Sequence, residues 1–159
     1  MMPTALIVED EPEANRLLSM LVQLRGYQTE SAFTGGQALE MVQDCPPDIV
    51  FLDLMLPDTN GYEVCQALKT SRQTHRIPVV IVTARLAEEN RVYSARVGAD
   101  EFVSKPYTPD QIFHALAAAD TYRQAADDQA DCGEIALDTR DNHAAFTKLQ
   151  QLRGLLLIR

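Results

Sequence analysis

The sequence predicts an α/β fold: a doubly wound five-stranded parallel sheet built from five βα units, followed by a short, mainly helical extension. Three observations carry this expectation. Five short strand-type segments, three of them apolar runs rich in Val and Ile, alternate with longer segments whose apolar residues keep helical spacing. Gly or Pro stands at most of the junctions between them. Strands apolar on both faces need helices on both sides, which is the parallel, doubly wound arrangement.

Ala5–Val8 reads as the first strand, with Glu9, Asp10 and Glu11 at its end. Pro12 opens a helix where its missing N–H costs little, and Leu17, Leu18, Leu21 and Val22 share a face up to a stop at Gly26. Tyr27–Ala32 is the second strand; Thr34 caps a helix carrying Ala38, Leu39 and Val42, which Pro46 and Pro47 end. Asp48–Asp53 is the third strand, and a helix from about Gly61 turns Val64, Cys65 and Leu68 inward. Pro78–Thr83 is the fourth strand, followed by a helix with Val92, Tyr93 and Val97 that ends at Gly98. Glu101–Ser104 is the fifth strand, and Pro109 to about Ala126 the fifth helix.

Composition narrows the function classes. With 159 residues and 46% apolar content the chain supports one sizeable core. A net charge of -9, spread as -7 over residues 1–119 and -2 over 120–159, argues against a surface that grips nucleic acid. Cys45, Cys65 and Cys132 have no metal-ligand spacing and read as packing residues of a reducing compartment. No stretch is apolar enough to span a bilayer and no positive leader precedes the first strand, so a soluble, cytoplasmic protein without membrane association is expected.

In a doubly wound sheet the carboxyl ends of neighbouring strands lie side by side. The residues just after strands one, three, four and five are Glu9 and Asp10, Asp53, Thr83 and Ala84, and Lys105. Each has an ordinary reading by itself: a helix start for Glu9 and Asp10, a turn cap for Asp53, a strand-end threonine, an exposed lysine. Their coincidence at four strand ends favours a common site. Three clustered carboxylates repel by several kcal/mol at roughly the dielectric of a partly buried site, which calls for a hard divalent cation such as Mg²⁺. Asp53 could then attack phosphorus in line, with the Thr83 hydroxyl, the Ala84 N–H and Lys105 taking the remaining oxygens.

The motifs LIVEDE, FLDLMLPDTNG, VVIVTAR and GADEFVSKP resemble those of the CheY-like receiver domain of two-component response regulators over about residues 4–120. The resemblance implies the flavodoxin-like (βα)5 topology, Asp53 as phosphoacceptor, and Mg²⁺ bound by Asp10, Asp53 and the Met55 carbonyl with Glu9 assisting. It makes Thr83 and Phe102 the switch pair, Lys105 the phosphate-binding lysine, and Lys105–Pro106 a cis peptide; Phe102 as a static core aromatic is the alternative. Met55 and Arg85 fall where the family tunes hydrolysis. The implied partner is a sensor histidine kinase or phosphotransfer protein, and the chain itself is a regulatory domain with only self-catalysed phosphotransfer and dephosphorylation. The competing reading is a pseudo-receiver that acts as a scaffold without phosphorylation. A flavin or nucleotide binder fits poorly, because three acids stand where a phosphate-cradling loop would be. A haloacid-dehalogenase-type phosphatase needs a second Asp at position 55, which is Met.

A homodimer through the face from the fourth to the fifth helix is a further expectation, although Asn90, Ala115 and Ala117 stand where that family's ionic dimers carry charges. The run HALAAAD offers either a small-residue packing face or internal packing. Residues 121–159 read as a continued helix, a polar linker, a short strand at EIALD and a helix over 142–158 striped with Phe146, Leu149, Leu152 and Leu156. That stripe suits self-docking, dimerisation or a truncated effector. No recognition helix or basic face follows EIALDTR, so no direct nucleic-acid binding by this chain is expected.

Overall fold

The three central strands are apolar runs rich in Val, Ile and Leu, whereas the two edge strands, QTESA and EFVS, are partly polar, as strands at the rim of a sheet can be. In the computed structural model the strands are β1 (Thr4–Val8), β2 (Gln28–Ala32), β3 (Ile49–Leu52), β4 (Val79–Thr83) and β5 (Glu101–Ser104). The helices are α1 (Pro12–Gln23), α2 (Gly35–Asp44), α3 (Gly61–Thr70), α4 (Glu88–Arg96) and α5 (Pro109–Ala130). The structure describes residues 1–84 and 88–130. The polar linker, the EIALD strand and the helix expected over 142–158 lie outside the described residues, as do Arg85 and Cys132. The chain separates into two units, Met1–Asp127 and Asp128–Arg159, and the sheet belongs to the first.

All five strands are parallel, in the order β2-β1-β3-β4-β5. The chain therefore winds one way from β1 to β2 and the other from β3 onward, so the crevice between β1 and β3 is where ligands collect in such sheets. Alternate residues of one strand enter opposite cores. Leu6, Val8, Val50, Leu52, Val79 and Ile81 pack with α2 and α3 residues such as Val42, Val64 and Leu68. Ala5, Ile7, Ile49, Phe51, Val80 and Val82 pack with Leu18 and Val22 of α1 and with Ile112, Leu116 and Ala119 of α5. Ala115 and Ala119 are buried there, so the Ala-rich run of α5 serves internal packing, while Ala117 is exposed.

Side chains set the helix starts. Glu11 accepts from the Ala14 N–H at 2.7 Å, Thr34 Oγ1 from the Gln37 N–H at 3.0 Å, and Asn60 Oδ1 from the Tyr62 N–H at 3.0 Å. Gly26, with φ of 83°, follows α1 as the expected stop.

Two expectations need correction, the shared face of Leu17 and the packing of Cys45, and the face of α4 is a further finding. Leu17 is exposed: the inward face of α1 is Asn15, Leu18, Ser19 and Val22, an i, i+3, i+4, i+7 set whose two polar members hide it from a count of apolar residues. Val92 and Tyr93 are about half exposed, and α4 instead buries Ser94; the Tyr93 ring meets Tyr62 edge-on with centroids 4.5 Å apart. Cys45 is exposed at the end of α2, whereas Cys65 is buried, its thiol pushed up to about 12 by that burial.

Candidate functional site

Hydrogen bonding continues one residue past the strands and so places the site. The Asp53 N–H donates to Val8 O at 2.9 Å, the Glu9 N–H to Ala32 O at 3.1 Å, and the Lys105 N–H to Thr83 O at 2.8 Å. Each chemical residue is thus held by the backbone of its neighbouring strand at the instant its own strand ends.

Glu9 and Asp53 are buried, Asp10 is exposed, and each of the three brings a carboxylate oxygen within 4.8 Å of the others. Lys105 Nζ donates to Asp53 Oδ2 at 2.8 Å and to Glu9 Oε2. The Met55 N–H donates to Asp53 Oδ1 at 3.0 Å, and the Glu11 N–H to Glu9 Oε1 at 3.1 Å. Thr83 is fully buried at the end of β4, and Ala84 beside it is exposed. Phe102 is partly buried against the core on the α2–α3 side, and the Lys105–Pro106 peptide is cis.

Burial and the neighbouring Asp53 push the Glu9 carboxyl up to about 7, with Lys105 only partly opposing them. Burial also acts to raise Asp53, but hydrogen bonds from Glu9, from Lys105 and from the Met55 N–H outweigh it and hold Asp53 below the usual carboxylate range. Burial alone would lower Lys105; its bonds to Asp53 and Glu9 raise it. The two carboxyls are therefore pushed in opposite directions, Glu9 toward holding a proton and Asp53 toward holding its charge. The donor set is entirely carboxylate oxygen, with an exposed Asp10 on one side, which fits a hard divalent cation such as Mg²⁺.

The loop after β3 walls this site. Asp10 and residues Leu54 to Asn60 line an open cavity of about 550 Å³. The Asp58 carboxylate accepts from the Gly35 and Gly36 N–H groups, both at 2.9 Å, which pins the loop to the start of α2 and lowers the Asp58 carboxyl. Three residues escaped sequence reasoning. Asp58 and Gly61 lie in the PDTNG turn, whose chemistry signalled a loop without saying what it touches. Asn15 left one signal, an amide among the apolar positions of α1.

Comparisons with known proteins agree with this fold. Residues 5–117 match the family model described as response regulator receiver domain. The phosphate regulon transcriptional regulatory protein PhoB of Rhizobium meliloti (strain 1021) is 31% identical over 96% of this chain and 68% of its own length. Transcriptional regulatory protein BaeR of Escherichia coli O6:H1 is 39% identical over 69% of this chain and 45% of its own; the chain thus spans well under the whole of such relatives. The structure of the chemotaxis response regulator CheY4 of Vibrio cholerae superposes with a TM-score of 0.70 at 26% identity, covering 75% of this chain and 99% of that one. A family model spanning most of the sheet-bearing unit, on a sheet of this order with acids at these strand ends, leaves one conclusion: the chain belongs to the response regulator receiver domain family.

Proposed function

We propose that this chain is a phosphorylation-activated switch of a two-component system that accepts a phosphoryl group on Asp53. The observation that carries the reading is the convergence of Glu9, Asp10 and Asp53 within 4.8 Å, with Lys105 bonded to the Asp53 carboxylate. An Asp53 oxygen attacks phosphorus in line; the O–P bond forms as the P–N bond to the donor's histidine breaks, and the imidazole leaves with the electron pair. Asp53 is ready for this because its neighbours keep it ionised. Asp10, Asp53 and the Met55 carbonyl, with Glu9 directly or through water, would hold Mg²⁺, whose chemistry here is neutralisation of the phosphoryl oxygens. Lys105, the Thr83 hydroxyl and the Ala84 N–H take the remaining oxygens. Movement of Thr83 toward the phosphoryl group opens space into which Phe102 turns, and water later returns Asp53 to its free form.

The donor in this reading is a sensor histidine kinase or phosphotransfer protein in the cytoplasm. Incubation with acetyl phosphate and Mg²⁺, read on a gel that resolves aspartyl phosphate, tests it. Labelling of the wild type that disappears in Asp53→Asn is expected. A wild type that stays unlabelled would overturn the switch reading and favour the scaffold, and labelling that survives Asp53→Asn would overturn Asp53 as the acceptor.

A further inference from the structure

Asn15 is a buried polar residue, 2% exposed, in the face that α1 turns toward the sheet. Its amide is fully used. Nδ2 donates to Ile7 O at 3.3 Å and to Glu9 O at 3.2 Å, while Oδ1 accepts from Ser31 Oγ at 2.6 Å and Ser19 Oγ at 3.4 Å. The two carbonyls flank Val8, the last residue of β1, and Ser31 belongs to β2. One side chain thus fastens the carboxyl end of β1 to α1 and to the adjoining strand.

The Glu9 carbonyl is half of the Glu9–Asp10 peptide, whose plane governs where both side chains leave the backbone. At that peptide the chain must send Glu9 inward to Lys105 and Asp10 outward to solvent. The amide serves two hydroxyls and two carbonyls, so its cost and its use are both local. Burying an amide is costly unless every polar atom is partnered, and an apolar side chain of similar volume fills such a position without that demand. The four partners are a specific requirement met at a specific place, the two acids of the cation site.

From this we infer that Asn15 is a positioning residue for the cation site, orienting Glu9 and Asp10 through the peptide between them. The inference rests on the proposed function for the identity of the cation. It assigns Asn15 no contact with cation or phosphoryl group. Ser31, which touches only the far side of the amide, holds the amide but not the β1 carbonyls.

The test is Mg²⁺ affinity of the full chain by calorimetric titration at a temperature where every variant is folded, beside melting temperature in EDTA. Asn15→Leu should weaken Mg²⁺ binding by about tenfold, the scale seen when a group that orients metal ligands is removed. Its melting temperature in EDTA should fall, because two hydroxyls and two carbonyls lose a partner, so affinity rather than stability is the readout that decides. Should Leu disturb folding, Asn15→Ala, which suits a helix and leaves the partners in place, should show the same loss of affinity. Ser31→Ala should change affinity by less than about threefold on the same scale. Asn15 variants that bind Mg²⁺ as tightly as the wild type, whatever their melting temperature, would reduce Asn15 to a packing residue and overturn the inference. A wild type that binds no Mg²⁺ would overturn the proposed function with it, so the two failures are distinct.

Discussion

Gly61 is pressed against the backbone of Asp53. A Cβ at Gly61 would lie 2.3 Å from the Asp53 carbonyl oxygen and 2.7 Å from Leu54 Cα, both backbone atoms that cannot swing aside. The first residue of α3 therefore lies directly against the backbone that carries the Asp53 carboxylate.

Gly61→Ala should force apart α3 and the end of β3. We expect a loss of about 2 kcal/mol in urea unfolding, the scale of overpacking a tight core, together with slower labelling of Asp53 by acetyl phosphate. An unchanged urea midpoint would show that the loop from Leu54 to Asn60 yields freely.

Glu9 makes the cation-free protein sensitive to pH. Its folded carboxyl, near 7, lies above its ordinary 4.5, so its contribution to stability is full below the ordinary value and is lost as pH rises through about 7. Asp53 runs the other way: its contribution is present above its ordinary 3.8 and is lost as pH falls through its lowered value. In EDTA, the melting temperature should therefore fall relative to Glu9→Gln between about pH 5 and pH 8. Because a cation binds the ionised carboxylates, the rise in melting temperature caused by Mg²⁺ should grow over the upper part of that range. A Mg²⁺ effect of constant size from acid to alkaline pH would contradict the protonation of Glu9.

Lys69 and Asp100 should carry much of the stability at the other end of the sheet. Lys69 Nζ donates to Asp100 Oδ2 at 2.7 Å and to Ile77 O at 2.8 Å, and Asp100 Oδ2 also accepts from the Val79 N–H at 2.8 Å. The two side chains are only 14% and 11% exposed. Lys69→Met should cost about 3 kcal/mol, because it leaves a nearly buried carboxylate without its cation. Adding Asp100→Asn should recover part of that loss, and a double-mutant cycle measures the coupling. Additive losses would mean that the pair is screened by solvent.

Much of the architecture is legible before any coordinate is seen. Ile49, Val50, Phe51 and Leu52 form a run too apolar for a strand with a wet face, and Asp53 at its end breaks the pattern conspicuously. Helix faces are less legible. Leu17 and Leu18 are equally apolar, yet only Leu18 is buried, because packing against the sheet selected a stripe containing Asn15 and Ser19. The same loss affects α4, where apolar Val92 and Tyr93 stand half exposed while Ser94 is buried.

By itself, the sequence determined the alternation of strands and helices, the acidic, hydroxyl and amine groups at four strand ends, and hence the chemistry they share. Only the tertiary structure decided that Lys105 bridges Glu9 and Asp53, that their carboxyls are pushed in opposite directions, and that Gly61 and Asn15 lie against the backbone of Asp53 and Glu9 respectively. The reason is physical: a residue's propensity and polarity act along the chain, whereas desolvation, charge pairing and backbone contact depend on what the fold brings alongside it from elsewhere.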